Sequence, residues 1–447
     1  MKSRIMFVSH GAASGGAENC LYSLLSEIDR QKYEALVVLP GHGPLEDRVS
    51  ELGVETHVAE LAWCLTAQPD DLDYRVRFGE GLRRRALDLA DVIKSKGVDL
   101  VFTNSLAVMD GAVAAGLCGV PHVWHVLELL GRDPGLHPPI NVAAFHHLVG
   151  ALSDRIITVS ESVKQNIESH LYADKITTVH TGIDLPDGVR PLKRHEPSNG
   201  KQNGSRICFV GNLSKRKGAL GLVEAAPQLL NVMPNARFEV VGPDGGVAGD
   251  MKAMIEQKGI TGSFRFLGYR NDPLDIIASS DLLVLPSVAD PLPLVVLEAM
   301  LLGKPVVATS SGGASEMVVE GVTGCIVPVS DPSALASAII GILKDPQRAK
   351  KMGEQGRERA LTHFNRKRYT SDIEEILDHC GSLTKGPDPF RLALIEMLLG
   401  FFESAAKVER KLLEDERKAH EYDVMVRRIQ SNRLFKMYHW LKYLGRV

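Results

Sequence analysis

The chain has 447 residues, 44% of them hydrophobic, and a formal net charge of −3 at pH 7. That length is enough for two sizeable domains and an extension, at roughly 100 to 200 residues per domain. The nearly balanced charge argues against a nucleic-acid-binding protein, because such proteins usually present a strongly basic surface.

Cysteine usage and hydropathy predict the compartment. The six cysteines, at positions 20, 64, 118, 208, 325 and 380, are widely spaced, which favours reduced thiols over disulfides or a zinc site. The start, MKSRIMFVSHG, contains only a short apolar run and is interpreted as a first strand, not a signal peptide. The longest later apolar stretch, LALIEMLLGFF, is too short to span a bilayer. We therefore expect a soluble, cytoplasmic protein.

Strand-like apolar runs alternate with helical patterns in the first part of the chain. These runs lie at residues 5–9, 35–39, 100–103, 122–125 and 156–159. Such alternation predicts a doubly wound parallel sheet, so residues 1–185 are assigned to a Rossmann-like α/β domain.

A Gly-rich turn follows the first of these strands. The sequence SHGAASGGAEN precedes a helix-like LYSLLSEI. A turn of this kind directs free amides and the positive end of a helix dipole at a ligand, commonly a phosphate, and Gly15 and Gly16 leave room for it. The G-x-G-x-x-G spacing of dinucleotide-binding proteins is absent, which disfavours that interpretation.

A polar linker separates this domain from a second series of strands. Residues 186–205, PDGVRPLKRHEPSNGKQNGS, are rich in Pro, Gly and Asn. Apolar runs then recur: RICFVG from 206, FEVVG from 238, FRFLG from 264, DLLVLP from 281, PVVATS from 305 and GCIVPV from 324. Residues 206–365 are therefore predicted as a second Rossmann-like domain, and residues 366–385 as a crossover helix. A ligand is expected in the cleft between the two domains.

The remaining residues, 386–447, are predicted as a helical tail. Six residues fall on a heptad spacing, which predicts a short coiled coil or a helix packed on the body: Val408, Leu412, Ala419, Tyr422, Val426 and Ile429. The final 24 residues carry six Lys or Arg and no acid, and five apolar residues share one helical face: Leu434, Met437, Tyr438, Leu441 and Leu444. This basic amphipathic pattern fits either peripheral contact with an anionic membrane surface or packing against protein, including a second copy.

The segment from 281 to 316 contains two acids that are candidate site residues. Asp290 and Glu298 lie eight positions apart, in a loop and in the following helix. Asp290 before Pro291 also suits a simple helix start, and Glu298 suits a surface acid near a helix N-terminus. However, VVLEAM is apolar on most sides, so Glu298 is expected to be buried and to need a partner.

This segment resembles the carboxylate signature of retaining glycosyltransferases of the two-domain GT-B type, family four. In that family Glu, seven residues and a second Glu precede Ala-Met and Gly-Lys-Pro; here Asp290 replaces the first Glu. The resemblance implies an N-terminal acceptor domain and a C-terminal donor domain. It also implies that Glu298 holds the ribose of a nucleotide-sugar and that Asp290 contacts the transferred sugar.

The same resemblance assigns the phosphate contacts. Pro291 and Pro293 stand where the family usually has glycines whose amides meet the diphosphate. Proline cannot donate, so the amides of Leu294 and Val295 are the expected donors. The Gly15–Gly16 turn also looks like the family's N-terminal loop, in which the second glycine approaches the diphosphate.

The loop GNLSKRKG, residues 211–218, resembles the family loop whose Arg and Lys grip the donor phosphates. Lys217 matches the lysine, and Asn212 occupies the usual arginine position, so Arg216 or Lys215 is the candidate substitute. The alternative is a solvated cationic loop without a ligand.

Three further positions complete the predicted site. His125, near the end of the strand HVWH, matches the family histidine that reaches the transferred sugar. Glu128 is a candidate for the acceptor side, and Tyr269 and Arg270 lie where the family's base-binding loop lies. The predicted catalytic set is His125, Lys217 and Asp290.

The sequence thus predicts a retaining glycosyltransferase that moves a sugar from a nucleoside-diphosphate donor to a hydroxyl of a glycan or lipid-linked acceptor. No carboxylate is assignable to a double displacement, which favours front-face substitution. We expect no metal and no cofactor beyond the nucleotide-sugar co-substrate. The alternatives are a nucleotide-sugar epimerase, a phosphorylase, or a non-catalytic nucleotide-sugar-binding scaffold.

Overall fold

The computed structural model describes residues 2–68, 71–167, 172–186, 204–383 and 386–431. Most of the predicted linker and the apolar face predicted for residues 434–444 lie outside the described residues.

Seven parallel strands form the sheet of the first domain, in the order β3-β2-β1-β4-β5-β6-β7. The strands are β1 (Ser3–Ser9), β2 (Tyr33–Leu39), β3 (Glu55–Val58), β4 (Leu100–Asn104), β5 (His122–Val126), β6 (Arg155–Thr158) and β7 (Ile176–Thr178). The helices are α1 (Gly16–Glu27), α2 (Pro44–Glu51), α3 (Leu72–Lys96), α4 (Asp110–Cys118), α5 (Val142–Leu152) and α6 (Glu161–Ile167). Every residue of β4 and β5 is buried, as expected for strands covered on both faces.

Six parallel strands form the second sheet, in the order β10-β9-β8-β11-β12-β13. The strands are β8 (Arg206–Val210), β9 (Arg237–Val241), β10 (Phe264–Gly268), β11 (Leu282–Leu285), β12 (Val306–Thr309) and β13 (Gly324–Val327). The helices are α7 (Ala219–Val232), α8 (Ala248–Gln257), α9 (Pro273–Ser279), α10 (Leu294–Leu301), α11 (Ala314–Met317), α12 (Pro332–Leu343) and α13 (Pro346–His363). Both sheets therefore have the doubly wound order that places loops at the carboxyl ends of the strands around a common crevice.

All six strand runs predicted for the second domain appear as β8 to β13. In the first domain the five predicted runs correspond to strands, whereas β3 and β7 were not predicted. Both are edge strands of three or four residues, and neither carries the continuous apolar run of the central strands. Short edge strands leave little pattern in a sequence.

The last two helices return to the first domain. Helix α14 (Arg366–Gly381), within the segment predicted as a crossover, packs on α1, and the amide of Asp29 donates to Glu374 Oε1 at 2.7 Å. Helix α15 (Pro389–Ser431) packs along α3. Gly79 of α3 allows this close approach, since a Cβ there would lie 2.6 Å from the Phe402 carbonyl oxygen.

Where its side chains are described, α15 packs on the body through residues that precede the predicted heptad series. The side chains of Tyr422, Val426 and Ile429 in that series lie outside the described part of the chain. Among the residues of this helix whose burial is described, the buried apolar ones are Ile395, Leu398, Leu399, Phe402 and Ala406. Val408 and Leu412, which begin the heptad series, are 62% and 49% exposed. The predicted packing of a helix on the body is thus observed, but through a different set of residues.

Hydrogen bonds join the two domains beside the crevice. Ser160 Oγ, before α6, donates to the Pro291 carbonyl oxygen at 2.7 Å. Glu316 of the second domain accepts from the amides of Glu161 and Ser162 at 2.9 Å each and pairs with His180 Nε2 at 2.7 Å. A carboxylate at the first turn of α6 is favourable, because the helix N-terminus has free amides and a positive dipole end.

Candidate functional site

A cleft of about 610 Å³ lies between the two sheets, and loops that follow strands of both domains line it. It includes twelve of the thirteen predicted site residues: Gly15, Gly16, Glu128, Asn212, Arg216, Lys217, Tyr269, Arg270, Asp290, Leu294, Val295 and Glu298. The thirteenth, His125, is not among the residues that line it.

The glycine turn before α1 leaves backbone amides accessible to a ligand in the cleft. Gly15 precedes α1 and Gly16 is its first residue, so the free amides of the helix start face the cleft. A Cβ on Gly16 would meet no protein atom within 4 Å, whereas one on Gly15 would lie 2.5 Å from Glu18 Oε2. The surface over Gly16 is therefore open to a ligand.

The cationic loop lies on the opposite side of the cleft. It ends at Gly218, whose left-handed conformation (φ 65°) and nearness to the Pro286 carbonyl oxygen require glycine. Lys217 Nζ lies 2.7 Å from Asp290 Oδ2, and both side chains are largely buried. Arg216 Nε lies 3.2 Å from Asp133 Oδ2 of the first domain. The two cations are thus held at the cleft by carboxylates, one from each domain.

Asp290 is fixed in the loop between β11 and α10. Ser287 Oγ donates to its Oδ2 at 3.1 Å, the oxygen that also meets Lys217. Helix α10 follows at once, and Pro293 caps it without a side-chain hydrogen bond. The amides of Leu294 and Val295 have no preceding helical carbonyl to bind, so this end of α10 can receive an anion.

Glu298 lies one turn further along α10 and also lines the cleft. Desolvation in this apolar helix raises its pKa to about 7, although Lys217 nearby works in the opposite direction. A carboxyl group of this kind is stabilised by any ligand that brings hydroxyl donors to it.

The outer end of the cleft is formed by the loop after β10. Tyr269 is 70% exposed, and Arg270 is held by two hydrogen bonds to Asp272, at 2.7 Å and 2.6 Å. These exposed side chains border the cleft without closing it.

On the side of the first domain, Glu128 lines the cleft, but its carboxylate already accepts hydrogen bonds from three donors of its own domain. Its carboxylate accepts from Ser105 Oγ and from the amides of Leu106 and Leu127, at 2.9 Å and 3.0 Å for the two amides. Burial raises its pKa despite these donors. Ser105 has a left-handed backbone (φ 93°), so Glu128 helps to hold a strained loop after β4.

The predicted placement of His125 is corrected by the structure. His125 is fully buried within β5, and burial lowers its pKa to about 3. Its Nδ1 lies 2.9 Å from Asn104 Oδ1, and Asn104 Nδ2 donates to the Ala17 carbonyl oxygen at 2.9 Å. His125 is therefore linked through Asn104 to the first turn of α1 and does not face the cleft. His122, on the same strand, is also buried, with Nε2 2.8 Å from Thr103 Oγ1.

Sequence reasoning missed two residues on this wall. His10, the residue after β1, lines the cleft, and its ring lies against Trp63 at an interplanar angle of 58°, with the centroids 5.1 Å apart. Asp133 lies in the loop after β5. The position of His10 directly after a strand could have predicted that it lines the cleft. Asp133 lies seven residues beyond its strand, and its place in the cleft could not have been predicted in this way.

Together these features suit an anionic, hydroxyl-rich ligand. Two cations and two helix N-termini surround the middle of the cleft, and carboxyl groups flank it. Among the described residues, no group of three or more His, Cys, Asp or Glu side chains is arranged to hold a metal ion. All six cysteines are free thiols. None of the helices in the described part of the chain is long and apolar enough to cross a bilayer.

Two doubly wound domains with a ligand cleft between them define the GT-B fold, and comparison with solved structures agrees. The crystal structure of HepE from Anabaena in complex with UDP superposes with a TM-score of 0.68 at 24% identity, covering 85% of this chain and 100% of that one. WaaG, a glycosyltransferase involved in lipopolysaccharide biosynthesis, gives a TM-score of 0.59 at 17% identity, over 83% of this chain and 99% of that one.

Family models identify both domains. Residues 15–182 match the glycosyl transferase 4-like domain, and residues 193–359 match glycosyl transferases group 1. The chain belongs to the glycosyltransferases that these two family models describe.

Curated relatives carry related descriptions. An uncharacterized glycosyltransferase of Methanocaldococcus jannaschii is 32% identical over 252 residues, which cover 53% of this chain and 63% of that protein. An Escherichia coli UDP-Gal:alpha-D-GlcNAc-diphosphoundecaprenol alpha-1,3-galactosyltransferase is 25% identical over 65% of this chain and 78% of its own length.

Proposed function

We propose that this protein transfers a sugar from a nucleoside-diphosphate donor to a hydroxyl of a glycan or lipid-linked acceptor. One observation carries the proposal: Lys217, Arg216, the first amides of α10 and Glu298 converge on one cleft between the domains. Cations and amides suit a diphosphate, and a carboxyl group suits ribose hydroxyls. HepE, which resembles this chain in fold, was crystallised with UDP, and this supports a nucleotide donor.

In the proposed reaction the acceptor oxygen bonds to the anomeric carbon as the bond from that carbon to the diphosphate breaks. The acceptor proton passes to a phosphate oxygen, and the products are a glycoside and a nucleoside diphosphate. Lys217 and the amides of Leu294 and Val295 stabilise the charge that develops on the leaving diphosphate. Asp290, placed by Ser287 and Lys217, contacts the transferred sugar.

We propose retention by attack on the same face as the leaving group. A double displacement needs a carboxylate nucleophile on the opposite face. Glu128, a cleft carboxylate of the first domain, is already held by three donors, which favours front-face attack. We also propose that no metal is needed, because cations and amides meet the donor charge.

Turnover tests this proposal. Purified protein is incubated with UDP-, GDP- and ADP-linked sugars, with and without EDTA, and nucleoside diphosphate release is measured; the anomeric configuration of any product is read by NMR. Release that persists in EDTA and depends on Lys217 supports the proposal. Donor binding without release supports a scaffold, and conversion of the donor sugar without transfer supports an epimerase. An inverted product would contradict retention.

The proposal extends to the C-terminal helix, which we expect to contact a membrane surface or a second copy. The outer face of α15 exposes five large apolar residues: Phe390, Met397, Phe401, Val408 and Leu412. Co-sedimentation with vesicles containing anionic lipid tests the first partner, and light scattering tests the second. Failure of both would remove this part of the proposal. A reducing, cytoplasmic location is expected from the six free thiols.

A further inference from the structure

One contact crosses the cleft at the place where the proposed donor phosphates bind. Asp133 Oδ2 of the first domain lies 3.2 Å from Arg216 Nε of the second. Asp133 is 8% exposed and Arg216 is half-buried, so the pair is shielded from solvent more than a surface ion pair. The carboxylate is thus paired with a cation that lines the proposed phosphate site.

Asp133 is held rigidly in this position. Its Oδ1 accepts from the Gly135 amide at 2.9 Å, and its own amide donates to the Leu129 carbonyl oxygen at 2.9 Å. The loop is tied to the segment after β3 by two hydrogen bonds between Thr66 and His137, each 2.9 Å long. The carboxylate is therefore fixed by its own domain.

Arg216 is anchored on its own side as well. Its Nη1 donates to the Ala289 carbonyl oxygen at 3.1 Å, and its carbonyl oxygen accepts from the Val288 amide at 2.7 Å. These contacts place Arg216 next to Asp290 in the loop before α10. The Arg216 guanidinium group, Asp133 and the first residues of α10 thus line the same cleft.

We propose that Asp133 is a positioning residue that competes with the donor diphosphate for Arg216 and so speeds the release of the nucleoside diphosphate product. The inference rests on the proposed function of this cleft. When the product leaves, Asp133 takes its place on Arg216, which lowers the cost of separating the guanidinium from the phosphate.

A double-mutant cycle tests this role. The probe is whichever of UDP, GDP and ADP binds the wild-type protein most tightly by calorimetry. In Asp133→Asn we expect the dissociation constant to fall by about fivefold, and the dissociation rate of a fluorescent analogue to fall with it. In the Arg216→Gln background the same substitution should leave the affinity unchanged. Glu80→Gln serves as the control, since Glu80 pairs with Arg410 on α15 instead of facing the cleft.

The outcomes separate this inference from the proposed function. Weaker or unchanged binding in Asp133→Asn, or an equal effect in the Arg216→Gln background, overturns the competition and leaves donor binding intact. If none of the three nucleotides binds the wild-type protein, both the proposed function and this inference fail. A loss of thermal stability in Asp133→Asn without a change in affinity indicates a purely structural loop residue and also overturns the inference.

Discussion

The two walls of the cleft differ in how their functional residues are placed. On the wall of the second domain, Lys217, Asp290 and Glu298 lie in strand–loop–helix segments and face the cleft as predicted. On the wall of the first domain, the predicted histidine is buried, and His10 and Asp133 line the cleft instead. Short loops tied to a strand and a helix are fixed by local sequence, whereas longer loops are placed by contacts with distant segments.

The largest effect should come from Lys217. In Lys217→Ala we expect the turnover number to fall by about 100- to 1,000-fold, because the cation binds the diphosphate and stabilises it further as negative charge develops during its departure. Lys215→Ala is the matched control: this exposed neighbour is not among the residues that line the cleft, and its removal should leave turnover nearly unchanged. Initial rates of nucleoside diphosphate release measure both. Equal losses in the two variants would contradict a specific role for Lys217.

A smaller effect is expected from Glu298. Its pKa, raised to about 7 by desolvation, means that the carboxyl group is partly protonated near neutrality. Ribose hydroxyls would stabilise the ionised form and lower this pKa, so donor affinity should rise as the pH increases toward 7 and then level off. Glu298→Gln should bind a nucleotide-sugar, whose diphosphate has no proton that titrates near neutrality, about tenfold more weakly and lose this pH dependence.

Calorimetry in two buffers with different ionisation enthalpies measures the proton release that accompanies binding. We expect release near pH 6.5 in the wild-type protein and none in Glu298→Gln. Identical proton release in both proteins would assign it to another group and remove Glu298 from the ribose site.

The buried histidine should affect stability more than turnover. The pKa of His125 is lowered to about 3 by burial, below its value of about 6.5 in an unfolded chain. The stability that depends on its neutral form is therefore present above pH 6.5 and is lost as the pH falls toward 3. In His125→Gln we expect acid unfolding at a lower pH, with turnover at pH 8 within about threefold of wild type.

Acid titration followed by circular dichroism measures this shift. His42→Gln is the control, because the His42 side chain is 83% exposed. A turnover loss as large as that of Lys217→Ala, without loss of stability, would restore His125 to the reaction.

The smallest effect is expected at the contact between the domains. Glu316→Gln keeps the shape of the side chain but weakens its hydrogen bonds to the first turn of α6 and to His180. We expect a loss on the order of 1 kcal/mol, seen as a melting temperature lower by about 2 °C. An unchanged melting temperature would mean that this contact does not stabilise the domain arrangement.

The sequence was sufficient to predict the two-domain architecture and the residues on the second-domain wall of the cleft. Continuous apolar runs predicted every strand of the second sheet, and the spacing of Asp290 and Glu298 placed them across the start of α10. Short edge strands such as β3 and β7 carry too little pattern to predict. Neither the burial of His125 nor the pairing of Asp133 with Arg216 follows from local sequence, because each depends on how distant segments pack.

The central claim is that a nucleoside diphosphate binds between the cationic loop and the N-terminus of α10. Calorimetric titration of wild-type protein and Lys217→Ala with UDP, GDP, ADP and their sugar-linked forms tests it most directly. The account predicts saturable one-to-one binding of at least one of these ligands and at least tenfold weaker binding in Lys217→Ala. The absence of binding heat with every ligand, or equal affinity in the two proteins, would contradict it.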